Sequence, residues 1–472
     1  MKTKFYLFSF LIFWFVTGPG SLHAEISLPA IFGNHMVLQQ QTDAAIWGKA
    51  APGSMVRVTT SWDRKSYTSK PAADGSWKVK VATPAAGGPY EITISDGKAL
   101  KLTDVLIGEV WVCSGQSNMQ QTMKGYMNQP TLGANEAIAT SANPDIRLFT
   151  VTREKSLTEQ ADFKGEWLQC EPEHVADFSA AGYFFGRMVQ QALGIPVGLI
   201  CSSWGGTRIE PWMSEAGLKK FDWVNLPDKN QTGDFSVQSP TVLFNAMIHP
   251  MIGFAIRGAL WYQGESNRNE PAQYEKLMVG LIENWRAEWG IQDMPFYYCQ
   301  IAPFDYGPTG LNSAFLREAQ LKASKAISGT GMACLMDAGE KDCIHPGNKK
   351  AAGERLAFLA LAKTYGKKGI AYEGPVLKEM QVEGSQVKLT FENAAHGLTS
   401  YGKELENFKV AGENKRFYPA KAFITGQGIT LVCPQVAKPV AVRYAFDDFV
   451  MGDLYNTEGL PASSFRTDDW DN

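Results

Sequence analysis

What the 472-residue chain lacks narrows its chemistry first. It has no basic run, and 45 Lys and Arg against 48 Asp and Glu leave a net charge of -3. Nothing therefore supplies the positive stripe that a nucleic-acid groove requires. There is no His-Glu-x-x-His, no Cys-x-x-Cys pair and no carboxylate cluster at ligand spacing, so no metal or other cofactor is called for. No Gly-x-Ser-x-Gly elbow marks a lipase or peptidase serine. Cysteine is scarce. Cys113, Cys170, Cys201, Cys299, Cys334, Cys343 and Cys433 are odd in number and scattered, which excludes a dense disulfide framework. Four of them (Cys113, Cys201, Cys299, Cys334) lie in apolar strand-like runs, where cysteine serves as a small buried hydrophobe. A single disulfide is compatible with an exported chain, but the spacing selects no pair.

Long apolar runs are also absent, except one. Lys2 and Lys4 precede an apolar stretch from Phe5 to Val16, then Gly, Pro, Ser and Leu22-His23-Ala24. A charged start, an apolar middle and a small residue before the cut predict a secretory signal peptide over 1–24. The run is shorter than the roughly 20 residues that a spanning helix needs. No Cys follows it directly, which argues against a lipoprotein anchor. The expectation is an exported chain, periplasmic or extracellular, with no membrane attachment after cleavage.

What is there is ordinary globular composition, 44% hydrophobic and 20% charged, in a chain long enough for two or three domains. Residues 25–104 carry short alternating runs (Ala45-Ile-Trp-Gly, Met55-Val-Arg-Val-Thr, Trp77-Lys-Val-Lys-Val) between Gly- and Pro-bearing turns, which predicts a small β-sandwich. From 105 to 367 the pattern alternates. Expected strands at Val105–Ser114, Val197–Ser203, Ala255–Gln263, Pro295–Ile301 and Gly331–Asp337 are separated by amphipathic stretches at Ser179–Leu193, Gln273–Trp289, Ala314–Ile327 and Lys349–Tyr365. Such alternation predicts an α/β domain with a doubly wound parallel sheet. Residues 368–472 return to β-type runs, and a C-terminal β-domain is expected there.

In open α/β sheets ligands bind at the carboxyl ends of the strands. Those ends read Gly115-Gln116-Ser117-Asn-Met, then Cys201-Ser-Ser-Trp204-Gly205-Gly206-Thr207, then Trp261-Tyr-Gln263-Gly-Glu-Ser-Asn267, and finally Asp337-Ala-Gly-Glu-Lys-Asp342-Cys-Ile-His345-Pro. A lone serine at a strand-to-helix turn is commonly only a helix cap. Here the other ends supply what acyl transfer needs: a nucleophile (Ser117), a base (His345), a group to orient it (Asp342) and oxyanion donors. The donors would be the Ser117 N–H, the Gly205 or Gly206 N–H and the Asn267 amide. Gln116, Trp204, Arg208 and Gln263 are candidate substrate contacts.

These four blocks resemble those of the SGNH hydrolases, and more closely the sialate O-acetylesterase family. The opening Leu28-Pro-Ala-Ile-Phe-Gly-Asn-His-Met-Val-Leu-Gln39 and the ending Leu454-Tyr-Asn-Thr-Glu-Gly-Leu-Pro-Ala-Ser-Ser-Phe-Arg-Thr467 resemble that family too, so the likeness spans the mature chain. It implies a flavodoxin-like SGNH domain flanked by β-domains, and an exported serine esterase of carbohydrate metabolism that removes O-acetyl groups from sialic acids. Relatives acting on acetylated xylan and other plant polysaccharides make that the alternative substrate. Many relatives carry an acidic residue directly before Ile-His-Pro, where this chain has Cys343. Asp342 fits the general Asp-x-x-His block. The alternative is a Ser–His pair oriented by a backbone carbonyl.

Other readings use the same residues less fully. His35, His174, His249 and His396 fall away from the strand ends, which leaves His345 as the base. Asn267 would serve equally as a turn former. Glu265 with Asp337 or Glu340 would suit a glycosidase only if two carboxyls were held about 5–5.5 Å apart, and that reading leaves Ser117 idle. A non-catalytic glycan-binding protein would be expected to have lost a catalytic group, and none is missing. A sialic acid carries a carboxylate, and Arg208 is the cation that the sequence places nearest the crevice; pairing with Glu210 is its competing role.

Overall fold

The computed structural model describes residues 1–2, 25–308, 310–426 and 428–470. The expected signal segment at 1–24 lies almost wholly outside the described residues. Among the described residues no helix is long and apolar enough to cross a membrane.

The fold is mixed α/β, built on one large sheet with smaller β-sheets beside it. The chain opens with six strands, β1 (Val37–Gln39), β2 (Asp43–Lys49), β3 (Val56–Thr60), β4 (Ser66–Ser69), β5 (Ser76–Ala82) and β6 (Gly87–Ser95). β5 shows why: Trp77, Val79 and Val81 point inward while Lys78 and Lys80 face water, the period-two pattern of a half-buried strand. β2 pairs with β5, and β3 with β4 and β6, all antiparallel.

β7 (Ala99–Gly115) is the spine. Its first half pairs antiparallel with β6 and parallel with β1. Its second half enters the parallel core. One continuous strand thus carries the chain from the N-terminal β-layer into the parallel sheet, where the sequence suggested a break after 104. The polar Lys101-Leu-Thr-Asp104 stretch resembles a turn in sequence. Asp104 does take a positive φ of 51°, and the pairing with β6 shifts register there, but the strand continues through it as a bulge.

After β7 come α1 (Ser117–Gln120), α2 (Ala134–Ala139), β8 (Asn143–Thr150), β9 (Trp167–Cys170), α3 (Pro172–Asp177), α4 (Ala180–Leu193), β10 (Val197–Ser203), α5 (Glu215–Leu218), β11 (Gly258–Tyr262), α6 (Pro271–Trp289), β12 (Phe296–Cys299), α7 (Ala314–Ala326), β13 (Thr330–Ala333) and α8 (Lys349–Leu359). α4 begins where the Ser179 hydroxyl accepts the Gly182 N–H and ends at Gly194 in the left-handed region, a capped start and a glycine stop. The parallel strands lie in the order β13-β12-β11-β7-β10-β8, with β9 antiparallel on the edge. Central β7 and β10 are buried along the whole parallel stretch, as strands covered on both faces must be. Chain order runs β7 to β8 and back through β10, then crosses to β11 on the other side. That change of direction opens a crevice at the carboxyl ends of β10, β7 and β11.

Beyond 375 the chain forms two antiparallel four-stranded sheets. One contains Val376–Glu383, Gln386–Glu392, Gly428–Val432 and Lys421–Thr425; the other Phe417–Pro419, Phe408–Ala411, Ala441–Tyr444 and Phe465–Arg466. Their core reaches Cys334 and Met336 just after β13. Fully buried Arg317 of α7 donates to the carbonyls of Asp447 and Asp448, tying the two parts together. All seven cysteines are free thiols, six of them buried.

Candidate active site

The crevice is shaped first by backbone. Gly115, the last residue of β7, sits at φ 136°, and a Cβ there would lie 2.2 Å from the Tyr262 carbonyl oxygen. Only glycine lets β7 end so close to β11. Gln116 N then donates to Tyr262 O, and Trp204 N to Gly115 O, so the three strand ends are stitched together. α1 starts at Ser117, and N–H groups in a first helical turn have no acceptor within their own helix. Gly205 comes close beside it: a Cβ on Gly205 would be 3.2 Å from Ser117 Cβ. The Gly205 N–H donates to Gln120 Oε1 at 2.7 Å.

His345 reaches the same place from the loop between β13 and α8. Tyr126, on the loop after α1, donates its hydroxyl to the Ser117 carbonyl at 3.0 Å and packs edge-on to the His345 ring at 5.2 Å. Asn118, next to Ser117, donates to the carbonyl of Ile344, next to His345. Serine and histidine are therefore brought into one crevice. No protein group engages the Ser117 hydroxyl among the described residues, which is common when a substrate must complete the arrangement.

The group on the histidine is not the expected one. His345 Nδ1 lies 2.5 Å from the side-chain oxygen of Gln129, a half-turn of loop beyond Tyr126. An amide oxygen only accepts, so Nδ1 carries the proton and Nε2 is left with its lone pair. Asp342 is exposed, and no hydrogen bond or ion pair among the described residues ties it to His345. The intervening chain explains this: Glu340 bridges to Cys343, the Cys343 thiol donates to the His345 carbonyl, and Asp342 points to water. Gln129 is fixed by a backbone pair with Tyr126. Nothing in the sequence Tyr126-Met-Asn-Gln129-Pro signalled it, because a neutral amide in a loop has no periodicity or charge to read.

Burial, and then the nearby Lys349 ammonium, push the His345 pKa down to about 4. Lys349 is itself buried, donates to Asn118 Oδ1 (2.8 Å) and to the Pro346 carbonyl (2.7 Å), and is lowered to about 7 by burial. Asn118 donates in turn to Glu265 (2.6 Å), whose carboxyl is raised by complete burial. Glu265 is thus locked behind Ser117 through Asn118. Asp337 is held by both guanidinium arms of Arg355, and Glu340 accepts the Gly347 N–H. No two of these carboxyls are left facing a substrate, against the glycosidase reading.

The remaining expected contacts sit in a buried network under the turn after β10. Asn267 Oδ1 accepts from the Ile209 N–H (3.0 Å) and from Gln263 Nε2 (2.8 Å), and Asn267 Nδ2 donates to Glu210 (3.1 Å). Gln263 also donates to the Thr207 carbonyl and accepts from the Tyr274 hydroxyl. Gln116 accepts from the N–H groups of Gly264 and Ser266. Gly206, at φ 75°, turns the chain and gives its carbonyl to Gln238. Arg208 is claimed by two carboxylates, Glu210 at 2.7 Å and Glu270, so its guanidinium is already neutralised. Trp204 stands at the rim, half-buried.

Comparison with known proteins agrees with this chemistry. Residues 107–359 match the family described as carbohydrate esterase, sialic acid-specific acetylesterase. The sialate O-acetylesterases of Pongo abelii and Homo sapiens are each 31% identical to the chain, over 92% of it and 90% of the relative. The crystal structure of a carbohydrate acetylesterase from Xanthomonas citri superposes with a TM-score of 0.86 at 35% identity, covering 94% of this chain and all of that one. The family match covers more than half of the chain and the relatives align along nearly all of it, so the protein belongs to the sialic acid-specific acetylesterase family of carbohydrate esterases and is a carboxylic ester hydrolase.

Proposed function

We propose that the protein removes O-acetyl groups from sialic acids by metal-independent serine catalysis in an SGNH-type domain. The observation that carries the mechanism is the hydrogen bond from His345 Nδ1 to Gln129, which leaves Nε2 as a proton acceptor in the crevice where Ser117 stands. In this reading the Ser117 hydroxyl attacks the acetyl carbonyl and gives its proton to His345 Nε2. Charge on the carbonyl oxygen is met by the backbone N–H groups of Ser117 and Gly206, the Gly205 N–H being held by Gln120. Collapse expels the sugar oxygen, which takes the proton back from His345, and water then hydrolyses the acetyl-serine by the same route in reverse.

Family membership and the sialate O-acetylesterase relatives support the sialate substrate. Acetylated plant polysaccharide is the second reading; the likeness to the Xanthomonas citri carbohydrate acetylesterase supports an acetylated carbohydrate and does not choose between the two. Acetate release from an O-acetylated sialic acid and from acetylated xylo-oligosaccharides, measured side by side, separates them: faster turnover of the sugar acid supports the first, and of the xylo-oligosaccharide the second. The charged, apolar, small-residue order of residues 1–24 supports export, which the N-terminal sequence of the secreted protein would test; a mature chain starting near Glu25 is expected.

A further inference from the structure

The paired state of Arg208 leaves a substrate carboxylate without its expected partner, and the rim of the crevice offers another. β8 runs parallel to β10, and its chain continues past Thr150 at the same carboxyl edge from which Trp204 and Gly205 emerge. The backbone there is fixed on both sides of the ladder: Val151 N donates to the Cys201 carbonyl and Thr152 N to the Lys164 carbonyl. The next residue is Arg153. Its side chain is exposed, and its guanidinium lies over the Trp204 ring, 5.8 Å from the centroid. Among the described residues Arg153 has no hydrogen bond or ion pair, in contrast to Arg208. Trp204 packs one side against the core and is the residue directly before Gly205, which abuts Ser117. The Arg153 charge also reaches the Tyr126 phenol, whose ring rests on His345.

We infer that Arg153, braced on Trp204, is the specificity-determining cation that receives the carboxylate of the acetylated sugar acid. The inference rests on the sialate reading above. Guanidinium is planar, permanently charged and weakly hydrated, and it can meet a carboxylate with two parallel hydrogen bonds while its charge stays over the indole ring. That contact removes part of the entropy that a long exposed side chain would lose on binding. The position also fits the shape of the substrate. A sialic acid carries its carboxylate away from its acetyl ester, and Arg153 stands at the rim while Ser117 lies deeper.

The test compares wild type, Arg153→Ala and Arg153→Lys on two substrates, an O-acetylated N-acetylneuraminic acid and the same sugar with its carboxylate converted to the amide. Arg153→Ala should lower kcat/KM for the acid about ten- to hundredfold more than for the amide, chiefly through KM. Arg153→Lys should recover part of that difference. In wild type, raising sodium chloride to about 0.5 M should weaken the acid selectively, since the contact is exposed. Equal losses on acid and amide, with wild type still preferring the acid, would overturn the role of Arg153 and leave the sialate reading intact. If wild type turns over the amide as well as the acid, no carboxylate is recognised and the inference falls. If wild type prefers acetylated xylo-oligosaccharides, the sialate reading falls and the inference with it.

Discussion

At the scale of single residues, the site turns on what holds His345. A base works in its neutral form, so activity is lost as the pH falls through its pKa. With that pKa near 4, set by burial and then by Lys349, kcat/KM for a neutral acetyl ester should hold to about pH 5 and drop below it. A midpoint near the ordinary histidine value of 6.5 would show that the ring is not desolvated as described. Gln129 on Nδ1 makes a second demand. Gln129→Ala should lower kcat by about ten- to hundredfold. Asp342→Asn should change it by less than about threefold, because an exposed carboxylate without a partner contributes little. The reverse pattern would restore Asp342 as the orienting group. That Ser117 and His345 would meet was legible in the sequence because both stand just past the carboxyl ends of predicted strands. The sequence did not disclose Gln129, Tyr126 or Lys349, whose roles arise from loops meeting in space.

At the scale of elements, the strand ends matter more than the helices between them. β10 was legible to the residue, Val197–Ser203, because a fully buried parallel strand is an unbroken apolar run. β8 was not: Asn143-Pro-Asp-Ile-Arg opens with turn residues, and its apolar part is only Ile146, Leu148 and Phe149. Missing β8 also hid Arg153. The stretch expected as one helix from Lys349 to Tyr365 is α8 to Leu359 followed by a wider turn over Ala360–Thr364. Two substitutions probe how these ends are joined. Gly115→Ala should destabilise the fold by about 2–4 kcal/mol, since it combines an unfavourable φ with a clash against the Tyr262 carbonyl. A wild-type melting temperature would mean that β7 and β11 separate easily. Asn267→Ala removes three hydrogen bonds from the buried network that ties the turn after β10 to the end of β11. It should lower the melting temperature, at a cost of about 1–3 kcal/mol. A full-stability variant that loses about a hundredfold or more in kcat would instead mark Asn267 as an oxyanion donor.

At the scale of the whole molecule, β7 joins the N-terminal β-layer to the parallel core, and Arg317 with the core around Met336 joins the C-terminal sheets to it. Alternation of apolar runs with amphipathic helices was enough to foresee the mixed α/β core and its flanking β-rich parts. The continuity of β7 was not, because a change of hydrogen-bonding partner leaves no mark in composition. This framework presents one crevice in which a serine, a neutral histidine and close backbone donors meet. The mechanism therefore stands or falls on Ser117. The most direct measurement is acetate release from an O-acetylated sialic acid by the wild type and by Ser117→Ala, His345→Ala and the double variant. Each single change should remove nearly all turnover, and the double variant should be little worse, as for groups acting on one proton transfer. Ser117→Ala retaining substantial turnover, or losses that simply multiply, would contradict the mechanism.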